Sequence, residues 1–245
     1  MNHPKYTVII PLKNEESNIE ALIEELDPVM HHLQQPWELI CINDGSTDAT
    51  GLILSKLIRK KPYLRIISFS KNFGQSSAFD AGFKAARGEF IITLDGDRQN
   101  DPADIPKLVE HVKNYDLICG QRVKRKDPWH KRAISRLANY VRSRICKDGI
   151  QDTGCSLKVY RTSCLRQIKL YEGMHRFLPA LFQIEGFKVI QIPVNHRERV
   201  AGTSKYNFFN RSFNTVLDLF AVYWMRKRKL RYESSLESGK DAVHE

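Results

Sequence analysis

Short apolar runs alternate with amphipathic segments through the first 121 residues, and this alternation limits the fold more than any other feature of the chain. Several runs are apolar at successive positions, among them residues 8–10 and 90–92, which is typical of strands that are covered on both faces of a sheet. Two similar runs occur in the second half. The predicted strands are Tyr6–Ile10, Glu38–Asn43, Arg65–Ser70, Glu89–Leu94, Asp116–Gly120, Leu157–Tyr160 and Lys188–Val194.

The segments between these runs have helical periodicity. The motif SNIE at residues 17–20 predicts a helix that starts with a capping box of Ser17 and Glu20. Its apolar face comprises Ile19, Leu22, Ile23 and Leu26. Further helices are predicted over Asp48–Lys60, Gln75–Ala86, Asp104–Lys113, Phe177–Ile184 and Tyr206–Arg228. Strands that alternate with helices predict an α/β fold with a doubly wound, mostly parallel sheet, in which ligands bind beyond the carboxyl ends of the strands.

The charge of the chain is unevenly distributed. Its 245 residues include 39 Lys and Arg against 28 Asp and Glu, a net charge of +11, and residues 122–147 contain ten of the basic residues with a single acid, Asp127. Such a balance predicts an anionic partner, for which nucleic acid, a phosphorylated metabolite and acidic lipid all qualify. Hydrophobic residues at 42% and charged residues at 27% exclude wholesale disorder.

Cysteine spacing and hydropathy bear on three classes of protein: zinc-binding, disulfide-bonded and membrane-spanning proteins. The five cysteines are far apart and form no CxxC pair, which argues against a zinc site or a disulfide framework and favours a reduced compartment. The first residues lack the pattern of a signal peptide. The longest apolar stretch near the C-terminus, Val216–Met225, contains Asp218 and is shorter than the roughly 18 residues of a membrane span. We therefore expect a chain that does not cross a membrane.

Two segments are amphipathic. The first is the basic segment, where apolar residues recur at helical spacing: Ile134, Leu137, Val141 and Ile145. The second is the predicted helix at 206–228, whose polar residues recur every four positions: Asn210, Asn214 and Asp218. Two interpretations stay open, because amphipathicity alone does not separate them. The helices lie on anionic lipid, or they pack on the sheet as ordinary core.

The motif LDGDRQ at residues 94–99 directly follows an apolar strand. Asp95 and Asp97, separated by one residue, can bind one hard cation and the diphosphate that it bridges. The alternative is an acidic turn, because Asp and Gly favour turns by themselves. The position at a strand end in an α/β pattern favours a metal and diphosphate site.

The motif INDGSTD at residues 42–48 ends another predicted strand. It places Asp44 at the strand tip, then a glycine turn, then a helix start that Ser46 or Thr47 caps. Asp44 could hold the ribose or base of a nucleotide, or it could only cap the helix. Together with LDGDRQ, the motif favours a nucleotide pocket.

The chain resembles the inverting glycosyltransferases of family 2 in three motifs and in their order and spacing. The motifs are VIIPLKNEE at 8–16, NDGSTD at 43–48 and LDGDRQ at 94–99. That family has the A-type glycosyltransferase fold. Within it the chain is most similar to the polyprenyl-phosphate sugar transferases, a group that includes the dolichyl-phosphate mannose synthases. The resemblance covers about residues 6–225.

The resemblance implies a domain organisation and a reaction. One catalytic domain covers residues 1–230, with a nucleotide-sugar half at 1–121, an acceptor-side half at 122–205 and an interfacial helix at 206–230, and a disordered tail covers 231–245. The enzyme would transfer a hexose from a GDP- or UDP-sugar to a polyprenyl phosphate. It would work in the cytoplasm as a peripheral protein on the inner face of the membrane, with or without an integral membrane partner.

The same resemblance assigns roles on the donor side. The nucleotide pocket would be lined by Pro11, Glu15 and Asp44. Asp95 would face the nucleotide, Asp97 would bind Mg²⁺ or Mn²⁺ together with Asp95, and Gln99 would lie next to a phosphate. The chain departs from the family at Gly96 and Arg98, where synthases commonly have Ala and Leu, and Arg98 adds a charge without an assigned purpose.

The second half carries the acceptor-side roles. QDTGCSLK at 151–158 resembles the segment that supplies a catalytic-side aspartate, here Asp152. HRERVAGTSKY at 196–206 matches a family loop in which Arg199, Ser204 and Lys205 would clamp phosphate. A solvated charged loop is the alternative.

Four further residues could belong to the site, and three of them have a second interpretation. His175 and Arg176 would approach the acceptor, although His175 could also be a helix-start residue. Gln75 and Asp80, near the start of a predicted helix, could contact the donor or only cap and solvate that helix.

A lipid phosphate is largely dianionic at pH 7, because its second pKa is near 6. Such a nucleophile requires orientation more than deprotonation, so we expect Asp152 to position it. Arg199, Lys205 and the metal would stabilise the departing nucleoside diphosphate.

Three rival functions remain. They are a family 2 transferase with another glycan or glycolipid acceptor, a membrane-surface adaptor, and a nucleic-acid-binding module. The sequence disfavours the last, since it has no zinc-finger, RNP or helix-turn-helix signature.

Overall fold

A computed structural model of the chain describes residues 3–123, 142, 149–198, 208–230 and 232. Within these residues one seven-stranded sheet has the order β3-β2-β1-β4-β6-β5-β7. The strands are β1 Tyr6–Leu12, β2 Trp37–Asn43, β3 Leu64–Ser68, β4 Phe90–Thr93, β5 Leu117–Arg122, β6 Lys158–Arg161 and β7 Val189–Val194. All seven predicted strands are confirmed, with ends that differ by at most two residues.

The sheet is mostly parallel, as predicted. β1 pairs in parallel with β2 and β4, β2 with β3, and β5 with β7. β6 runs antiparallel to both of its neighbours, β4 and β5. The parallel strands β1, β2 and β4 end at Leu12, Asn43 and Thr93, so the segments that follow them meet at one edge of the sheet.

Helices cover both faces of the sheet. They are α1 Ile19–His32, α2 Thr50–Leu57, α3 Gln75–Ala85, α4 Ile105–Val109, α5 Thr162–Leu165, α6 Leu178–Ile184 and α7 Phe208–Arg228. Short 3₁₀ turns occur at Pro102–Asp104 and Met174–Phe177. One apolar cluster joins α1, α2 and α4 to the sheet, and a second joins α3, α5 and α6 to the opposite face. Ile10 belongs to the first cluster and Ile9 to the second, which confirms that the strands are covered on both sides and that the fold is doubly wound.

Two predicted helix starts are wrong. The residue before α1 is Asn18 rather than Ser17. The side-chain amide of Asn18 donates to Glu15 Oε2 at 2.8 Å and does not cap the helix. The backbone amide of Ile19 is satisfied by the carbonyl oxygen of Glu15 at 3.0 Å, so a capping box is not needed. Ser46 and Thr47 do not cap α2, because their hydroxyls are hydrogen-bonded to Asn14.

The lengths of α2 and α4 also differ from prediction. α2 begins two residues later than predicted and ends three residues earlier. The predicted helix over 104–113 is a 3₁₀ turn followed by the short α4, which ends at Val109. α7 ends at Arg228 as predicted, whereas the predicted start at Tyr206 and most of the basic segment lie outside the described residues.

α7 packs on the rest of the molecule through a narrow face. Leu219 and Val222 are buried in a third apolar cluster with α6 and the turn at 174–177. On the other side of α7, large apolar side chains are exposed: Val216, Leu217, Phe220, Tyr223 and Trp224. In the part of the chain that the structure describes, none of the helices has the length and hydropathy that a bilayer span needs.

Candidate active site at the carboxyl edge of the sheet

The loops after β1 and β2 are joined by hydrogen bonds. The backbone amide of Asn14 donates to Ser46 Oγ at 3.0 Å, and the amide of Thr47 donates to Asn14 Oδ1 at 2.8 Å. Asn14 has a φ of 53°, an uncommon conformation that this pairing holds in place. Pro11 lies in β1 and Glu15 in the loop beyond it, both half-buried, so the structure places these two predicted residues at the edge where a nucleotide pocket is expected.

Asp44 is buried at the end of β2 and connects this edge to α3. Its Oδ1 accepts the backbone amide of Phe73 at 2.7 Å, and its Oδ2 accepts the amide of Gly74 at 3.0 Å. These bonds fix the loop that precedes α3. Each oxygen keeps a second lone pair, so the predicted contact with a nucleotide stays a prediction.

The loop after β4 carries Asp95 and Asp97. Gln75, the first residue of α3, donates from Nε2 to Asp95 Oδ1 at 2.9 Å. Burial raises the pKa of Asp95 to about 6, and the charge of Asp97 acts in the same direction, whereas Ser156, Lys158 and Arg122 oppose both. Gln99, the predicted phosphate neighbour, donates its backbone amide to Asp97 Oδ1 at 3.2 Å.

The two carboxylates suit a divalent cation. They are hard oxygen ligands that repel each other in one loop, and a cation relieves this repulsion. Among the described residues, no third His, Cys, Asp or Glu completes a cluster with them.

Asp152 is held by Arg122, the last residue of β5. Arg122 Nε lies 2.7 Å from Asp152 Oδ2 and Nη2 lies 2.8 Å from Oδ1, a bidentate ion pair. The backbone amides of Arg122 and Gly154 donate to the same two oxygens at 3.1 and 3.2 Å. Each carboxylate oxygen thus accepts two hydrogen bonds, which fixes its direction.

Sequence analysis missed two cations of this edge. Arg122 counted only as part of the basic run, although its place at the end of a strand is the signal that could have found it. Lys158, at the start of β6, is 4% exposed and donates from Nζ to the carbonyl oxygens of Cys155 and Thr153. Both cations lie close enough to Asp95 to lower its pKa.

Arg98, the departure from the family pattern, belongs to an ionic network. It has a φ of 59° and donates from Nη2 to Oε1 of Glu25 in α1. Arg197 donates to Glu25 Oε2 at 2.5 Å and to Asp101 Oδ1 at 2.7 Å. The backbone amide of Arg197 also donates to the carbonyl oxygen of Gln99 at 2.9 Å. The network therefore joins the start of the predicted clamp loop to the Asp95–Asp97 loop.

The other predicted site residues lie in three places. His175 Nδ1 is 2.6 Å from Ser76 Oγ, and Arg176 Nη1 donates to Thr215 Oγ1 at 3.2 Å. Asp80 pairs with Lys84 on the exposed side of α3, in agreement with the solvating interpretation of that residue. The predicted clamp residues lie outside the described residues: Arg199, Ser204 and Lys205.

Known structures share this fold. Glucosyl-3-phosphoglycerate synthase of Mycobacterium tuberculosis, solved with Mn²⁺, UDP and phosphoglyceric acid, superposes with a TM-score of 0.68 at 16% identity, over 93% of this chain and 80% of that one. The mannosyltransferase PcManGT of Pyrobaculum calidifontis, solved with GDP-Man and Mn²⁺, gives 0.63 at 21% identity, over 90% of this chain and 64% of that one. These likenesses confirm the A-type glycosyltransferase fold.

Sequence relatives are more similar. Dodecaprenyl-phosphate galacturonate synthase of Rhizobium johnstonii is 41% identical over 231 residues, which are 92% of this chain and 68% of that protein. Undecaprenyl-phosphate 4-deoxy-4-formamido-L-arabinose transferase of Pectobacterium carotovorum is 34% identical over 215 residues, 87% of this chain and 65% of that protein. The chain thus spans about two thirds of the length of these relatives.

Residues 7–169 match the glycosyl transferase family 2. This match covers more than half of the chain and contains the loops after β1, β2 and β4 as well as Asp152 and Lys158. From this match and the relatives that share it, we conclude that the chain belongs to glycosyl transferase family 2 and is similar to transferases named for polyprenyl phosphates.

Proposed function

We propose that this glycosyltransferase moves a hexose from a nucleotide-diphospho-sugar to a polyprenyl phosphate at a membrane surface, with Mg²⁺ or Mn²⁺ bound. The observation that carries the proposal is the pair Asp95 and Asp97 at the end of β4, with the Asp152–Arg122 ion pair near it. The names of the two sequence relatives support a polyprenyl phosphate as acceptor.

On the donor side, Asp97 and Asp95 would hold the cation. A bound divalent cation neutralises charge on the diphosphate that leaves with the nucleoside. The residues Pro11, Glu15 and Asp44 would surround the nucleotide, and Gln99 would contact a phosphate, as the family resemblance implies. Two solved structures of this fold contain nucleotides together with Mn²⁺, which supports a metal-dependent donor site.

On the acceptor side, Asp152 would act by position. A phosphate monoester is a competent nucleophile at pH 7 without loss of a further proton. A carboxylate whose two oxygens already accept four hydrogen bonds is suited to align groups around it rather than to abstract a proton. We assign phosphate contacts to Arg199, Ser204 and Lys205, and acceptor contacts to His175 and Arg176, on the family resemblance.

The exposed face of α7 would lie on the membrane. Leu217, Phe220 and Trp224 are 52%, 61% and 62% exposed, and they share this face with Val216 and Tyr223. The helix ends in the basic residues 226–229, which attract anionic lipid. A protein held in this way would associate peripherally with the cytoplasmic side of the membrane that carries its acceptor.

A two-part experiment tests the proposal. Thermal unfolding with GDP- and UDP-sugars, UDP-galacturonate among them, is measured with and without Mn²⁺, and transfer of labelled sugar to undecaprenyl phosphate is then measured with the donor that binds. We expect one nucleotide to raise the unfolding temperature only when Mn²⁺ is present.

Asp97→Asn should abolish this shift, and Asp80→Asn, in the exposed pair with Lys84, should preserve it. If none of the donors gave a metal-dependent shift, the donor assignment would be refuted. Label that enters a glycan but not the lipid would refute the acceptor assignment.

A further inference from the structure

α7 reaches the donor loop through a short series of polar contacts. Its Asp218 lies against Gly173, which has a φ of +80° and whose added Cβ would stand 2.3 Å from Asp218 Oδ2. Three residues further on, Arg176 donates a hydrogen bond to Thr215 of the same helix. The turn that begins at Gly173 is therefore the place where the polar side of α7 docks.

The same turn is bound to the first turn of α3. The backbone amide of Gly173 donates to Ser76 Oγ at 3.0 Å, and His175 Nδ1 lies 2.6 Å from that oxygen. Ser76 is buried, whereas Gly173 and His175 are half-buried. The residue before it, Gln75, donates to Asp95 Oδ1 at 2.9 Å. Three hydrogen-bonded steps, from α7 to the turn, from the turn to α3 and from α3 to Asp95, thus connect α7 with the donor loop.

We propose that Ser76 and Gly173 are positioning residues, which set Gln75 against Asp95 according to how α7 is docked. This inference rests on the proposed function, because it describes how the donor site of that reaction is held. The geometry favours it for a physical reason. A buried hydroxyl that accepts one backbone amide and meets an imidazole has one arrangement that satisfies all partners, so a shift of the turn moves the start of α3 with it.

The chain offers matched controls for both residues. Ser77 follows Ser76 in α3 but is exposed and bonds only within its own helix turn, to the carbonyl oxygen of Phe73, as far as its described contacts go. Gly186 has a φ of +89°, and an added Cβ there would meet nothing within 4 Å. Ser77→Ala and Gly186→Ala therefore reproduce the chemical change, and for glycine the backbone strain, without touching the α7 contact.

The first measurement uses no ligand. Amide hydrogen exchange of residues 94–99 is compared among wild type and the four single variants. We expect faster exchange in Ser76→Ala and Gly173→Ala and unchanged exchange in Ser77→Ala and Gly186→Ala. Adding Asp218→Ala to Gly173→Ala removes the atoms that the new methyl meets and should restore part of the protection.

The second measurement is the dissociation constant of UDP and of GDP, each with Mn²⁺. We expect Ser76→Ala to weaken the nucleotide that the wild type binds by about fivefold, the scale of one lost hydrogen bond. In steady-state assays the KM for the donor should rise while kcat changes less. Failure of the wild type to bind either nucleotide would refute the proposed function, and the exchange data would still decide the inference.

Equal exchange of residues 94–99 in Ser76→Ala and wild type would overturn the positioning role. The same conclusion would follow if the Gly173→Ala effect were matched by Gly186→Ala, or if Asp218→Ala gave no recovery, because strain alone would then explain it.

Discussion

At the scale of single residues, the ion pair of Asp152 and Arg122 is the observation that supports the positioning role proposed for Asp152. A carboxylate in a bidentate pair has its direction fixed by the guanidinium, and Lys would not reproduce this planar fork. The pair joins residues 30 positions apart, from the last residue of β5 to the segment before β6. Its geometry suits alignment of an acceptor phosphate.

We expect Asp152→Asn to reduce kcat by clearly less than ~10⁴-fold, the upper scale for loss of a general base. Arg122→Lys should cause a loss of similar size, because it frees the carboxylate while keeping the charge. Steady-state kinetics of the two single variants and of the double variant measure this. A loss beyond ~10⁴-fold in Asp152→Asn, or additive effects in the double variant, would contradict the positioning role.

At the scale of elements, Glu25 is the point where α1 holds two loops of the site. Burial alone would raise the pKa of Glu25, but hydrogen bonds and charges of Arg98 and Arg197 outweigh it, so the pKa is lowered. A lowered pKa means that the network stabilises the fold above the ordinary Glu pKa of about 4.3 and that this stability is lost as the pH falls through the folded value.

We expect Glu25→Gln to lower the free energy of unfolding by about 1 kcal/mol at pH 7, as for a half-exposed ion network. The difference from wild type should shrink as the pH falls below about 4.3, where the unfolded state begins to bind the proton, and should vanish below the lowered pKa of the folded state. Urea unfolding at several pH values checks this. The neighbouring Glu24 is exposed, so Glu24→Gln is the control. A difference that stays constant down to low pH would count against the network.

α7 is the element with large apolar side chains on its exposed side, which we propose to contact lipid. Trp224 is 62% exposed, so its removal should leave the unfolding temperature unchanged. We expect Trp224→Ala to weaken association with phosphatidylglycerol vesicles about tenfold, the effect of one large side chain leaving an apolar environment. Vesicle sedimentation measures this, and Asn214→Ala, an exposed polar position of the same helix, is the control. Unchanged binding in Trp224→Ala would show that this face does not meet lipid.

At the scale of the whole molecule, the net charge of +11 should govern binding to an anionic surface. Each Lys or Arg near such a surface contributes about 1 kcal/mol, and this attraction is screened as the Debye length falls from about 10 Å at 0.1 M salt to about 3 Å at 1 M. We therefore expect vesicle binding to fall more than tenfold over this range for anionic vesicles. Neutral vesicles should show little change, and equal salt dependence for both would contradict the electrostatic contribution.

The fold could be predicted from the sequence because its signals are local. Apolar runs such as residues 8–10 predict strands, and the three motifs at the ends of strands predict where ligands bind. The antiparallel insertion of β6 between β4 and β5 could not be predicted, since pairing between distant strands leaves no periodic trace. The capping box at Ser17 failed for a related reason, because Glu15 supplied the needed carbonyl from outside the pattern.

The acidic residues of the candidate site could be predicted from the sequence, whereas the roles of its cationic residues could not. Asp44, Asp95 and Asp152 stand in recognisable motifs and lie at the expected edge of the sheet. Arg122 was hidden in a basic run, and the purpose of Arg98 depends on Glu25, 73 positions away in the sequence. Contacts over such separations are set by the folded chain, and a single sequence gives no measure of them.

The reversed direction of β6 has a consequence for how such enzymes can diversify. Because Lys158 stands opposite Thr93 in the antiparallel register, the chain leaves the sheet after Arg122 and returns to it at the same rim. The two strand ends are held side by side by the pairing of β5 with β6. We therefore expect the stretch between them to vary with the acceptor, because Asp95 and Asp97, the residues that we propose for the donor, lie outside it.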